Sequence, residues 1–184
     1  MNLQERRILA LVEDEFEDLE MWYPVLRLQE EGLQVDLAGP EAGKTYKGKY
    51  GVPLTTAISF DEASAADYIG LYVPGGWAPD KLRRYESVLQ LTRAFHEAGK
   101  PIAQICHAGW VLISAKIVSG YTMTSTPGIK DDLENAGAVW VDEEVVVDRN
   151  LVSGRRPPDL PAFVKEYVRV LEKYAESADR KTGA

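Results

Sequence analysis

The sequence predicts an α/β protein with a doubly wound, mostly parallel sheet and helices on both faces. Two observations carry that expectation. Apolar runs of strand length alternate with segments of helical period, the pattern of successive β-α-β units. Three of the predicted strands also end in turns loaded with chemistry, EDEFED, PGGWAPD and CHAG, and in an open parallel sheet ligands sit beyond the carboxyl ends of the strands. No internal repeat, low-complexity tract or linker interrupts the 184 residues, so a single domain spanning 1–184 is expected.

Arg7 to Val12 is the first buried strand. From Phe16 to Glu31 the apolar residues Leu19, Trp22, Tyr23, Val25 and Leu26 recur at helical spacing, and Gly32 closes the helix. Leu33 to Ala38 follows as the second strand. EAGKTYKGKYGVPL is rich in Gly and Lys and lacks helical period, so a small β-hairpin excursion is expected there. Asp61 to Ala66 reads as a short helix, and Tyr68 to Val73 as the third strand, ending at Pro74-Gly75-Gly76. Ser87 to Ala98 is helical, Ile102 to Ile105 is the next strand, and Ala108 to Ala115 the helix after it. Tyr121 to Ser125 is expected as a strand and TPGIKDDLENAG as a helix with Asp131 and Asp132 in its first turn. VVVDRNLVSG reads as two strands joined at Asp148-Arg149-Asn150. Asp159 is the expected cap of a last helix, Leu160 to Tyr174, and 176–184 a frayed tail.

Composition excludes several classes of function. The formal charge of −8 repels polyanions, and no Lys/Arg cluster offsets it, so nucleic acid is not an expected partner. A single cysteine forms no internal disulfide and no CxxC metal site, which suits a reducing compartment. The first apolar run is too short for a signal sequence or a bilayer span, so a cytoplasmic protein without membrane association is expected.

The candidate chemistry centres on Cys106, where a strand is expected to end and a helix to begin. A helix amino terminus there favours a thiolate, and a sharp turn would hold the side chain above the sheet edge. Cysteine is also among the most buried residue types, so filler and nucleophile both stand open on position alone. His107 is adjacent in sequence, but neighbours on a regular helix do not face each other, and a contact requires an unusual backbone at Cys106. Glu17 lies in the acidic run Glu13 to Glu20. It is either a solvated helix start or a carboxyl kept protonated beside the thiol. Gly75 and Gly76 form a turn, or supply an oxyanion-hole amide. Asp80 reads as an exposed helix start and His96 as a surface residue. Dinucleotide binding is disfavoured because acids replace the glycine-rich loop after the first strand. A receiver domain is disfavoured because the later strand ends in Pro-Gly-Gly where an acceptor aspartate belongs.

EFEDLE, YVPGGWAPDKLR, GKPIAQICHAGWVLISA, TSTPGIKDDLENAGAVWVDEEVVVD and LVSGRRPPDLPAF occur in order along nearly the whole chain. Together they resemble the PfpI (intracellular protease I) branch of the DJ-1/PfpI superfamily. That resemblance implies a three-layer, flavodoxin-like sandwich of the class I glutamine amidotransferase type. It places the family's nucleophile at Cys106, its histidine at His107, its protonated glutamate at Glu17 and its oxyanion-hole glycine at Gly76. The acid supplied by a partner subunit falls on Asp80, an aspartate where the family has glutamate, and CHAG stands where the family usually has CHGP. The resemblance further implies a homodimer or higher homo-oligomer, with no cofactor and no metal. Its activities are stress-protective: peptidase-like, or deglycase- or glyoxalase-like on small carbonyl or peptide substrates. Its non-enzymatic alternatives are an oxidative-stress sensor, in which the cysteine passes to sulfenic or sulfinic acid, and a chaperone.

Overall fold

The computed structural model describes residues 3–182. Its main sheet contains β1 (Arg7–Leu11), β2 (Gln34–Gly39), β5 (Ile58–Ser59), β6 (Gly70–Val73), β7 (Ile102–Ile105), β10 (Val145–Asp148) and β11 (Leu151–Gly154). Their order is β10-β11-β7-β6-β1-β2-β5, and every neighbouring pair is parallel except the β10–β11 hairpin. The seven-stranded sheet is flanked by helices, as the sequence predicted. Strands β1, β6 and β7 are adjacent at its centre and almost wholly buried, which is why they read as continuous apolar runs. Among the described residues, no helix is long and apolar enough to cross a membrane.

The expected excursion is the two-stranded hairpin β3 (Thr45–Lys47) and β4 (Pro53–Thr55). It folds back over the loop between β1 and α1 (Asp18–Glu30). The Asp14 carboxylate accepts from the Lys47 amide at 2.9 Å, and that of Asp18 accepts from Tyr50 and Val52 amides, each at 2.9 Å. A buried Asp18 thus spends its charge on the hairpin turn. On one side of the sheet α1 packs with α6 (Leu160–Thr182). On the other, α4 (Gly109–Ser114) packs with α2 (Ala78–Leu82), α3 (Glu86–Glu97) and α5 (Lys130–Asn135).

Four expectations are corrected. The strand expected over Tyr121 to Ser125 is shorter, β8 (Thr122–Met123), and it pairs with β9 (Val139–Trp140) in a parallel pair separate from the main sheet. The last helix runs on to Thr182 instead of ending at Tyr174, and an Arg6–Asp179 ion pair ties it to the start of β1. Asp159, the expected cap, gives both carboxylate oxygens to the guanidinium of Arg155, at 2.9 and 3.2 Å.

The fourth correction concerns α1. Leu19 and Leu26, taken as part of its apolar stripe, are more than half exposed, and Tyr23 is partly so. The face toward the sheet carries Val25, as expected, together with Glu20, Met21, Pro24 and Leu28. Pro24 has no N–H to offer the carbonyl four residues back, which belongs to Glu20. The Tyr72 hydroxyl, on β6, donates to that Glu20 carbonyl in place of the missing helical bond. Proline inside the helix and tyrosine on the central strand therefore fix the position of one acid.

Candidate active site

Strand β7 ends in extended backbone at Ile105, and Cys106 then turns to φ 61°, left-handed and unusual for a residue with a side chain. A 3-10 turn, Cys106–Ala108, leads into α4, while the Thr126 amide donates to the Cys106 carbonyl at 3.3 Å. This is the unusual backbone that contact between sequence neighbours requires. Cys106 Sγ lies 3.2 Å from His107 Nδ1.

The acid beside the sulfur is Glu20, not Glu17. The Glu17 carboxylate caps α1, accepting from the Glu20 amide at 2.8 Å. Glu20 is fully buried in the inner face of α1, and its carboxyl meets Cys106. Gly75 leaves the room: a Cβ there would fall 2.1 Å from Glu20 Oε2 and 2.5 Å from the Cys106 Cβ. A helical wheel would have found Glu20, because it shares a face with Met21, Pro24 and Leu28. Motif matching alone selected the wrong acid in EFEDLE.

Gly76 sits at φ 76°, bridged to Phe16, where a Cβ would fall 2.4 Å from the Glu17 nitrogen. The tight approach of this turn to the loop after β1 demands glycine. The backbone amides of Gly76 and His107 favour negative charge on the sulfur. Strand ends β1, β6 and β7 thus bring Glu20, Gly75, Gly76, Cys106 and His107 together.

Burial pushes the Glu20 carboxyl up to about 8, and the nearby charge of Glu17 adds to the shift, so the acid holds its proton at neutral pH. Burial also pushes the Cys106 thiol up, to about 12, reinforced by the charge of an ionised Glu20 and opposed by the two amides. The expectation that the turn depresses the thiol is corrected. The sulfur is too buried for the helix end to dominate, and the 3-10 turn stands between it and α4. The two groups are coupled. A protonated Glu20 no longer repels the sulfur, so the pocket accommodates one negative charge more readily than two. Burial, followed by the charge of Lys49, lowers His107 below the ordinary histidine value, leaving a neutral imidazole able to accept a proton.

Asp80 lies in the first turn of α2, where Arg84 Nη2 donates to its carboxylate at 2.6 Å. His96 is remote from the thiol, edge-on to Tyr121 at 5.7 Å in the wall of a cavity of about 620 Å³ that also includes Pro101 and Arg149. That cavity lies at the amino end of β7, away from the loaded strand ends. Among the described residues no group of three or more His, Cys, Asp or Glu has the arrangement of a metal site.

The sheet is of the flavodoxin-like α/β class, and its site is a left-handed cysteine at the end of a central strand beside a buried carboxyl. Residues 6–170 match the DJ-1/PfpI family, and the chain belongs to that family. It is 45% identical to a deglycase of Pyrococcus horikoshii over 166 residues, 90% of this chain and 99% of that protein. It is 40% identical to general stress protein 18 of Bacillus subtilis, over 91% of this chain and 99% of that one. Among solved structures, a two-domain protein from Anabaena variabilis with DJ-1/ThiJ/PfpI-like and ferritin-like domains superposes with a TM-score of 0.90. The two are 34% identical, and the match covers 91% of this chain but 48% of that longer one.

Proposed function

We propose that this chain is a cysteine-dependent hydrolase acting on small carbonyl adducts, of the deglycase kind, with a role in stress protection. The observation that carries the reading is the 3.2 Å contact between Cys106 Sγ and His107 Nδ1 at a left-handed elbow. A thiol raised by burial is not a preformed thiolate, so the neutral imidazole acts as the base. As substrate approaches, the S–H proton passes to Nδ1 and the sulfur electron pair forms a bond to the carbonyl carbon. The carbonyl electron pair moves to its oxygen, for which the Gly76 and His107 amides are the available donors. Glu20, uncharged, gives up no repulsion to the developing thiolate and offers a hydroxyl to it. The names of the Pyrococcus and Bacillus relatives support both the chemistry and the stress role.

The working unit in this reading is a homodimer. Leu19, Tyr23 and Leu26 leave an apolar stripe on α1 uncovered, and Tyr50, Val52 and Trp77 are exposed as well. Asp80 serves a second copy's His107 only if it leaves Arg84.

The test is turnover of a methylglyoxal adduct of N-acetylcysteine by wild type, Cys106→Ser and His107→Ala. The expected result is turnover in wild type and a loss of about 100-fold or more in each variant. An inert wild type whose Cys106 is oxidised by limiting peroxide would replace the hydrolase with the redox sensor.

A further inference from the structure

The His107 ring has one polar contact among the described residues, the Cys106 sulfur. Among the described residues of its own chain no carboxylate is bonded to it, and Asp80 is held by Arg84. Its other close neighbours are indoles. The Trp77 ring lies with its centroid 4.9 Å away, tilted by 38°, and the Trp110 ring at 5.0 Å, tilted by 46°. Trp110 is anchored: its N–H donates to Asp132 at 2.8 Å, and the Arg83 guanidinium lies 5.8 Å from its ring centroid. Arg83 is itself fixed by a 2.8 Å bond to the Ser114 hydroxyl. Trp77 is 52% exposed, and its backbone N–H donates to the Glu15 carbonyl at 2.9 Å.

We propose that Trp77 and Trp110 are positioning residues, holding the His107 plane against Cys106 and stabilising its imidazolium through their π faces. The inference rests on His107 being the base of the proposed reaction. When the S–H bond breaks, its electron pair stays on sulfur and the proton binds Nδ1, creating a cation within reach of two ring quadrupoles. Apart from the thiolate, the surrounding charges do not help that cation. Lys49, from the turn between β3 and β4, and Arg83, behind Trp110, are both positive. Glu20, from α1, holds its own proton, and Asp80, from α2, is neutralised by Arg84. The indoles are the groups in contact whose polarity favours it.

The test exploits the chain having only two histidines. In a His96→Gln background, NMR follows the single His107 titration in the intact protein, with wild-type, Trp77→Leu, Trp77→Phe and Trp110→Leu side chains. Each leucine is expected to acidify the imidazolium about threefold, and phenylalanine to do so less. The acid limb of Cys106 alkylation by iodoacetamide should move with it. Loss of burial alone has the opposite sign, because water admitted to the ring favours the cation. Trp77 is exposed enough for its variants to fold, which circular dichroism verifies. An unchanged or upward His107 titration in Trp77→Leu overturns the proposal. So does a downward movement in Asp80→Asn while the indole variants are silent, which would assign the role to a partner's carboxylate. His107→Ala with undiminished alkylation would instead remove the base reading beneath it.

Discussion

Glu20 is a carboxyl in the inner face of a helix, and its environment makes a stability prediction with a definite sign. Its value is raised in the folded chain from 4.5 to about 8, so folding favours the protonated form. Its contribution is fully present below about pH 4.5, where folded and unfolded chains both hold the proton. It is lost progressively as pH rises toward about 8, because the unfolded chain releases the proton and the folded one does not. Denaturant unfolding at several pH values should show that decline, on the order of a few kcal/mol, and Glu20→Gln should flatten it. Gly76 carries a second prediction. Gly76→Ala forces a Cβ against backbone at φ 76° and should cost about 1–3 kcal/mol, read as a lower melting temperature, with loss of Cys106 alkylation. At this scale the sequence made Cys106, His107 and Gly76 legible, because each sits at a strand end whose position follows from apolar runs. It did not reveal Glu20 or the two indoles. Which of several clustered acids turns inward depends on helix rotation, and Trp110 and His107 meet only through the backbone turn at Cys106.

Helix α1 shows how an element can read correctly and still face the wrong way. Its extent was plain from Phe16 to Glu31, but it has apolar residues on two faces, and periodicity weighs both alike. The sheet takes the face of Met21, Val25 and Leu28, whereas Leu19 and Leu26 remain outside. The rung broken by Pro24 is closed from β6, so Tyr72→Phe should leave the Glu20 carbonyl buried and unpaired. A cost of about 1–3 kcal/mol is expected from chemical denaturation, together with slower alkylation of Cys106 as the acid loses its anchor. Short strands were the other blind spot. Strands β5 and β9 contain two residues each, too few for an alternating pattern to register.

For the molecule as a whole, the unpartnered stripe on α1 makes its state of association measurable. Sedimentation should show a dimer for wild type, and Leu26→Glu should shift it toward monomer at the same concentration while leaving the circular dichroism unchanged. The layered architecture and its parallel order were accessible from alternating elements alone, but the orientation of α1 and the reach of α6 to Thr182 depend on what each helix finds to pack against. Topology also dictates when the chemistry comes into being. Glu20, Gly76 and Cys106 arrive on three chain segments that meet only after β6 has been inserted between β1 and β7. Pairings of such long sequence separation form late. A nascent or partly folded chain therefore carries an ordinary, solvent-exposed thiol, and the buried, carboxyl-coupled sulfur serves as a clock for the final step of assembly, readable by timed thiol labelling during refolding.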